Sequence, residues 1–512
     1  MIRLDEILPK TSLLVGISVT TYGIIFILHR LYFHPLADYP GPFLAKLSNL
    51  RAAYYAWKGD IHLDMAWCHE KYGDFVRYGP NRVLVNSSVG QKDIYKSGKN
   101  LHKSTAYMSL VHRTPNTFTL SDKKEHSWKR RILTQGFSDS NMRAFEPVIL
   151  ADIAKLQRCM IEKERNESVQ GWSLPVNMAD WSSYFSFDVM SKIIFAQNYD
   201  LIGNDEHRGF IKDIMRNNVR ISVYYNYISL KSLKMDKWLF PESIRGRNAF
   251  LVYISRFLSG AGEKTEIEGS KHLFKILESA SDPQTGRKLS AVELRSETAT
   301  LIGAGMDTTS TAIASMFFYL SHHRDVQERA AAELRRTFAS LDDIRLGSQL
   351  SSCGFLFACI NESMRMSPPA GGALWREVEG EGAVIDGHFL PATSEVGTGI
   401  YAINHNRNLF PDPDDFDPDR WSCAGRADKE AFAPFSFGSR SCVGKSLSMV
   451  ELSLLMAHVL WKYQFQLAEG DLKNVGSGSP YLGPGRHREH EYQLYDHINA
   501  IKDGPYVVFR HR

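Results

Sequence analysis

The chain opens with an apolar block that changes character sharply at its ends. Thr11 to Leu28 (TSLLVGISVTTYGIIFIL) carries no charge and is bounded by Lys10 and by His29-Arg30. As a helix this run is ~27 Å long, close to the thickness of the thinner endoplasmic reticulum bilayer. It predicts one membrane anchor over residues 11–31, after a short N-terminal segment 1–10. A cleaved signal peptide fits less well, because no small-x-small cleavage site follows promptly. A buried core helix is disfavoured by the terminal position. Lys and Arg are tied on the two sides (Arg3 and Lys10, Arg30 and Lys46), so charge does not orient the anchor. His34-Pro-Leu and Pro40-Gly41-Pro42 then predict a stiff linker over 32–48.

From about Asn49 to Gln466 the pattern becomes that of one large, mostly helical body, placing a catalytic domain at 49–512. Helical spacing runs through Val292–His322, Gly354–Met366 and Val443–Leu460. Short strand-like runs occur at Phe75–Val85, at Ala383–Thr398 and at Tyr506–Phe509. Residues 470–485, rich in Gly, Pro and Ser, read as loop. The expected class is mainly α with small β-sheets.

Composition narrows the chemistry mostly by exclusion. A net charge of +4 with 23% charged residues gives no push toward nucleic acid. The six cysteines (Cys68, Cys159, Cys353, Cys359, Cys423, Cys442) lie far apart with no C-x-x-C pair. That disfavours a zinc site or a disulfide framework and fits a reducing compartment. Asn-x-Ser/Thr sequons begin at Asn86, Asn166 and Asn361.

The candidate chemistry centres on Phe435-Ser-Phe-Gly438-Ser-Arg440-Ser-Cys442-Val-Gly444. Gly438 and Gly444 permit backbone angles or approaches that a side chain would block. Phe435 supplies an apolar cover and Arg440 a fixed charge. Cys442 sits just ahead of a helix, where free amides and the dipole favour a thiolate over a thiol. Such a thiolate can ligate a soft or borderline metal, with haem iron one option. A buried inert thiol is the plain alternative. Five fixed positions coincide here, however, a chance on the order of one in ten million per window.

The spacing F-x-x-G-x-R-x-C-x-G resembles the haem-binding signature of the cytochrome P-450 superfamily. Three further motifs appear in the family's order. Gly303-Ala304-Gly305-Met306-Asp307-Thr308-Thr309 lies inside a long helical pattern, where each glycine costs about 1 kcal/mol relative to alanine. A packing notch with a threonine bonded to its own helix would explain it without chemistry. By the resemblance, Ala304 and Gly305 make room for O2, Thr308 hydrogen-bonds during O2 activation, and Asp307 helps deliver protons. Glu362 and Arg365 share a helical face, and Phe416-Asp-Pro-Asp419-Arg420-Trp421 resembles the family's meander, with Asp419 where Glu is commoner. Glu362, Arg365 and Arg420 are assigned to folding and haem insertion. His126 and Arg130, four apart, match the family's W-x-x-x-R position with His for Trp. Together with Arg376 and Arg440 they are candidates for the haem propionates, with Trp128 and Arg131 as competitors.

The resemblance implies a haem-thiolate monooxygenase of the microsomal fungal secondary-metabolism type. The cofactor would be haem b with Cys442 as the axial iron ligand. No flavin or nicotinamide domain follows the last long helix, so electrons are expected from NADPH through a separate cytochrome P-450 reductase, with cytochrome b5 as a further partner. Lys445 would help to dock the reductase. The expected location is the endoplasmic reticulum membrane, single-pass, with a cytosolic catalytic domain. Substrate contacts are expected from Ser104–Phe118, Arg220–Leu230 (with Tyr224, Tyr225 and Tyr227) and Ala370–Leu374. The small residues of the last segment suggest room for a bulky, apolar, polycyclic substrate. Two other outcomes stay open: oxidative phenol coupling, ring closure or desaturation at the same site, and a non-enzymatic haem carrier or sensor.

Overall fold

The computed structural model describes residues 4–96, 99–111, 113–162, 171–260, 272–422 and 427–512. Cys423 and Asn166 lie outside the described residues. The helix Ala291–His322 runs through the middle of the fold. A capping box starts it: the Ser290 hydroxyl accepts from the Glu293 amide while Glu293 reaches back to the Ser290 amide. Every residue from Thr309 to Ser321 is buried, as a helix surrounded on all sides requires. It crosses Met178–Phe195 closely and packs on Gly354–Met366 and Lys445–Lys462. These helices form the main core, with Phe185, Ile313, Phe317, Leu356 and Leu455 among its fully enclosed members.

A five-stranded sheet lies at the N-terminal side, in the order Phe75–Gly79, Arg82–Val85, Glu395–Gly397, Arg376–Val378, Leu101–Lys103. The expected strand over 75–85 is thus a hairpin, turned at Pro80-Asn81. Arg82–Val85 pairs in parallel with Glu395–Gly397. A smaller sheet joins Val176–Asn177, Tyr506–His511 and Tyr463–Leu467. A separate tight hairpin, Tyr495–His497 with Asn499–Ile501, turns at Ile498, whose φ is +76°.

The N-terminal helix spans Leu4–Leu28. Leu13–Phe33 has a mean hydropathy of 1.6 and no buried residue in its most apolar window, so it is long and apolar enough to cross a membrane. The proline-rich stretch after it does not act as a free spacer. The Arg77 guanidinium donates to the Arg30 carbonyl at 2.8 Å, and the Arg77 amide donates to the Pro40 carbonyl at 2.7 Å. A side chain at Gly41 would overlap the Arg77 carbonyl. The linker is therefore docked on the first strand of the sheet.

Candidate active site

Ser436 (φ +57°) and Gly438 (φ +66°) turn the chain back so that the Cys442 amide donates to the Phe435 carbonyl at 2.8 Å. That bond closes the loop just ahead of the helix Lys445–Lys462. Cys442 keeps accessible surface, unlike Cys68, Cys353 and Cys359, which are buried, but protein atoms crowd its sulfur. The expectation of a favoured thiolate needs correction. Burial by surrounding protein pushes the Cys442 thiol up. The Gly444 amide, Arg130 and the Lys445 amide, in that order, oppose the shift without overcoming it. The helix start thus acts in the expected direction, but desolvation outweighs it, so the free thiol is protonated and would ionise on binding a metal.

Four cations and a histidine converge near this loop. Arg130 donates to the Ser441 carbonyl at 2.7 Å. Arg440 donates to the carbonyls of Leu120 (2.7 Å) and Ser121 (3.0 Å). Arg376 bonds the Tyr107 hydroxyl at 3.3 Å. The fourth cation, Lys103, was missed in the sequence. It lies on the neighbouring strand, beside Arg376 in register, and donates to the Phe118 carbonyl. A lone lysine in His102-Lys103-Ser104 carries no spacing signal; the pairing of two distant strands brings it in. Among the described residues no carboxylate lies within ion-pair distance of any of the four. Burial, then Arg376, Arg440 and Arg130, pushes the Lys103 ammonium well below its usual range. Burial, then Arg440 and Lys103, depresses His126 to about 3, so it stays neutral. Such an uncompensated basin fits a buried dianion, and two haem propionates have that charge.

The competitors fall away. Arg131 grips Asp282 with two of its nitrogens, at 2.5 and 2.9 Å. Trp128 donates to Glu125 at 2.9 Å and is covered by Arg287.

On the central helix, Ala304 is exposed and Thr308 half-buried, one turn apart. Thr308 Oγ1 donates to the Ala304 carbonyl at 2.7 Å, so its proton is committed and its lone pairs remain free to accept. Gly305 does not open room for a ligand. A Cβ there would meet Met190 Cε at 2.5 Å, so this glycine serves the close crossing with Met178–Phe195. Gly303 is the glycine that borders open space. Asp307 is buried and turned away from the Thr308 hydroxyl. Its Oδ2 accepts from Asn499 Nδ2 at 3.0 Å and Asn218 Nδ2 at 3.2 Å. Burial raises its carboxyl, and the nearby Lys502 charge is the largest opposing influence. Lys502 itself is depressed by burial to about 8 and donates to Ser310 Oγ at 2.9 Å. Asn218, Asn499 and Lys502 were not legible in the sequence, since they come from a remote helix and the C-terminal hairpin.

Glu362, Arg365 and Arg420 are fully enclosed. Glu362 accepts from two nitrogens of Arg365 (2.9 and 3.0 Å), from Arg420 Nε (2.8 Å) and from Trp421 Nε1 (3.0 Å). The arginines also bond the carbonyls of Asn404, Pro413 and Pro411, each at 2.8 Å. Asp419 instead forms an exposed pair with Arg329.

The three segments expected to contact substrate do meet around one cavity, through Tyr107, Leu110 and Phe118, through Tyr225, and through Ala373 and Leu374. Tyr224 is elsewhere, bonded to Asp236. The small-residue run Ala370–Leu374 is not simply space for a bulky ligand. A Cβ at Gly371 would lie 2.9 Å from His62 Cβ and 3.3 Å from Asp496 Oδ2.

The family profile described as Cytochrome P450 matches residues 36–481. Cytochrome P450 monooxygenase AKT7 of Alternaria alternata is 42% identical over 99% of this chain and 98% of its own length. Cytochrome P450 monooxygenase poxM of Penicillium oxalicum is 42% identical over 96% of this chain and 93% of its own. Cytochrome P450 monooxygenase atnE of Emericella nidulans is 41% identical over 99% and 98%.

Proposed function

Because the chain belongs to the cytochrome P450 family, we propose that it oxidises an apolar small molecule with O2, within fungal secondary metabolism. Cys442, at the accessible mouth of its loop beside an uncompensated cationic basin, carries this reading. Haem bound there supplies a redox-active iron able to activate O2. Cys442 would hold the iron through its thiolate. Lys103, Arg130, Arg376 and Arg440 would hold the propionates, with neutral His126 as a hydrogen-bond donor. Thr308 would accept a hydrogen bond at the accessible face of the central helix. Asp307 would pass protons inward when it turns from its two asparagines. Electrons would come from NADPH through a separate flavoprotein reductase near exposed Lys445, with cytochrome b5 as a second donor. The N-terminal helix would hold domain 49–512 at the cytosolic face of the endoplasmic reticulum.

The test has two readouts. The reduced protein under carbon monoxide should give the long-wavelength Soret band of a thiolate-ligated haem. Turnover in labelled O2 should add one labelled oxygen to the product. Product without label would instead mean hydrogen abstraction leading to coupling, ring closure or desaturation.

Two substitutions probe individual roles. Lys103→Met should speed haem transfer to an apo-globin acceptor about tenfold or more, since a hydrogen bond to a charged group contributes ~1.5–3 kcal/mol. The melting temperature of the haem-free protein should rise, because a buried cation without a carboxylate partner is removed. Asp307→Asn cannot carry a proton. It should lower product formation about a hundredfold, with the carbon monoxide band unchanged and NADPH consumption diverted to hydrogen peroxide.

A further inference from the structure

Asp496 brings a carboxylate into the wall of the cavity with no cation opposite it. The residue is 4% exposed and sits on the strand Tyr495–His497, where its amide donates to the Gly59 carbonyl at 2.8 Å. Its Oδ1 accepts from the Ile498 amide at 2.9 Å, which fixes the side-chain rotation. Its Oδ2 is buried and makes no well-aligned hydrogen bond, with only the Gly371 and Gly372 amides beside it. The amides of Gly371 and Gly372 lie near enough to ease the charge, but burial outweighs them and raises the carboxyl to about 6. Among the described residues no Lys, Arg or His forms an ion pair with it. The surrounding wall is otherwise largely apolar: Leu110, Phe118, Leu374 and Ile498, with the rings of Tyr107 and Tyr225, and Ser222 and Asn226 as the neutral polar members. Both tyrosine hydroxyls are engaged elsewhere, Tyr225 with the Ala373 carbonyl and Tyr107 with Arg376.

A buried carboxylate without a cation is destabilising by several kcal/mol unless something bonds it. Gly371 and Gly372 make its position possible, since a Cβ on either would stand 3.3 Å from Oδ2. We propose that Asp496 Oδ2 is the polar anchor of the substrate cavity, accepting a hydrogen bond from one O–H or N–H on an otherwise apolar substrate. This rests on the monooxygenase reading and adds a substrate class to it: apolar molecules with a hydrogen-bond donor, in preference to the same bodies with the donor capped. A carboxylate can only accept, so an ether in place of the hydroxyl leaves Oδ2 unbonded. Discrimination of this kind is large because the unpaired group stays buried.

The experiment is a spectral titration of the ferric holoenzyme, following the Soret shift. The probes are biphenylmethanol, anthracenemethanol and pyrenemethanol, each beside its methyl ether. The wild-type protein should bind at least one alcohol about tenfold or more tightly than its ether. Asp496→Asn keeps an oxygen for the Ile498 amide but presents an N–H in place of Oδ2. Its preference should fall to within about threefold or reverse. The carbon monoxide band, read on the same samples, reports the haem-thiolate site separately. If that band is present and alcohol and ether bind equally in the wild type, the proposal is overturned. A preference that survives Asp496→Asn overturns it too, as does binding of no member of any pair. Should Asp496→Asn lack the band, Asp496→Ser carries the same comparison. Loss of folding in both variants, with no alcohol preference in the wild type, assigns Asp496 to holding the Gly371-Gly372 turn alone.

Discussion

Cys442→Ser should abolish the long-wavelength band of the reduced carbon monoxide complex and lower product formation at least roughly a thousandfold, about 4 kcal/mol of barrier. A serine oxygen cannot replace the soft, electron-donating thiolate on iron. The loop itself should survive. Its closing bond runs from the main-chain amide of residue 442 to the Phe435 carbonyl, and serine keeps that donor. Thermal unfolding of the haem-free variant should therefore match the wild type to within about 1 kcal/mol. Rescue by another cysteine is not expected. Cys68 and Cys359 are buried, and burial pushes both thiols up, Cys68 to about 12. A thiolate-type band persisting in Cys442→Ser would sink the assignment of the iron ligand.

Glu362→Ala is the second large effect. It leaves the guanidinium groups of Arg365 and Arg420 fully buried without their shared carboxylate. Breaking such a network by removing one partner costs about 3–5 kcal/mol. The expected result is little soluble folded protein and little bound haem, measured by yield and by the visible spectrum. Two nearby features sharpen the comparison. Trp421 also loses its acceptor, 3.0 Å away in the wild type. Asp419→Asn weakens the exposed pair with Arg329, and should change stability by less than about 1 kcal/mol. Equal loss in both variants would mean that the meander, rather than the buried charge network, sets the stability there.

The motifs differ in how far they could be read before folding. The loop from Phe435 to Gly444 was legible because its constraint is local: tight turns, a helix start and one cysteine lie within ten residues. The helices Ala291–His322 and Gly354–Met366 were legible from apolar periodicity, with ends close to those expected. The Glu362–Arg365 pair declared its shared face by spacing alone. Arg420 joined it through the resemblance, and its full burial appeared only in three dimensions.

What tertiary structure decided is the partnership of residues far apart in the chain. Arg130 and Arg131 are adjacent and alike, yet one faces the Cys442 loop and the other grips Asp282. Helix rotation about its neighbours makes that choice, and no single-residue signal carries it. Gly303 and Gly305 look equivalent, but only the second meets Met190. Lys103 enters the cationic basin through strand pairing with Arg376, and Asn499 reaches Asp307 from a C-terminal hairpin. The thiol of Cys442 is raised by protein that crowds its sulfur although the residue keeps accessible surface, and this outweighs the local helix terminus. Sequence determined the cysteine loop, the helices and the chemical class, because those rest on short-range geometry. The fold decided which charges stand together, because burial and long-range contact exist only once the chain has closed on itself.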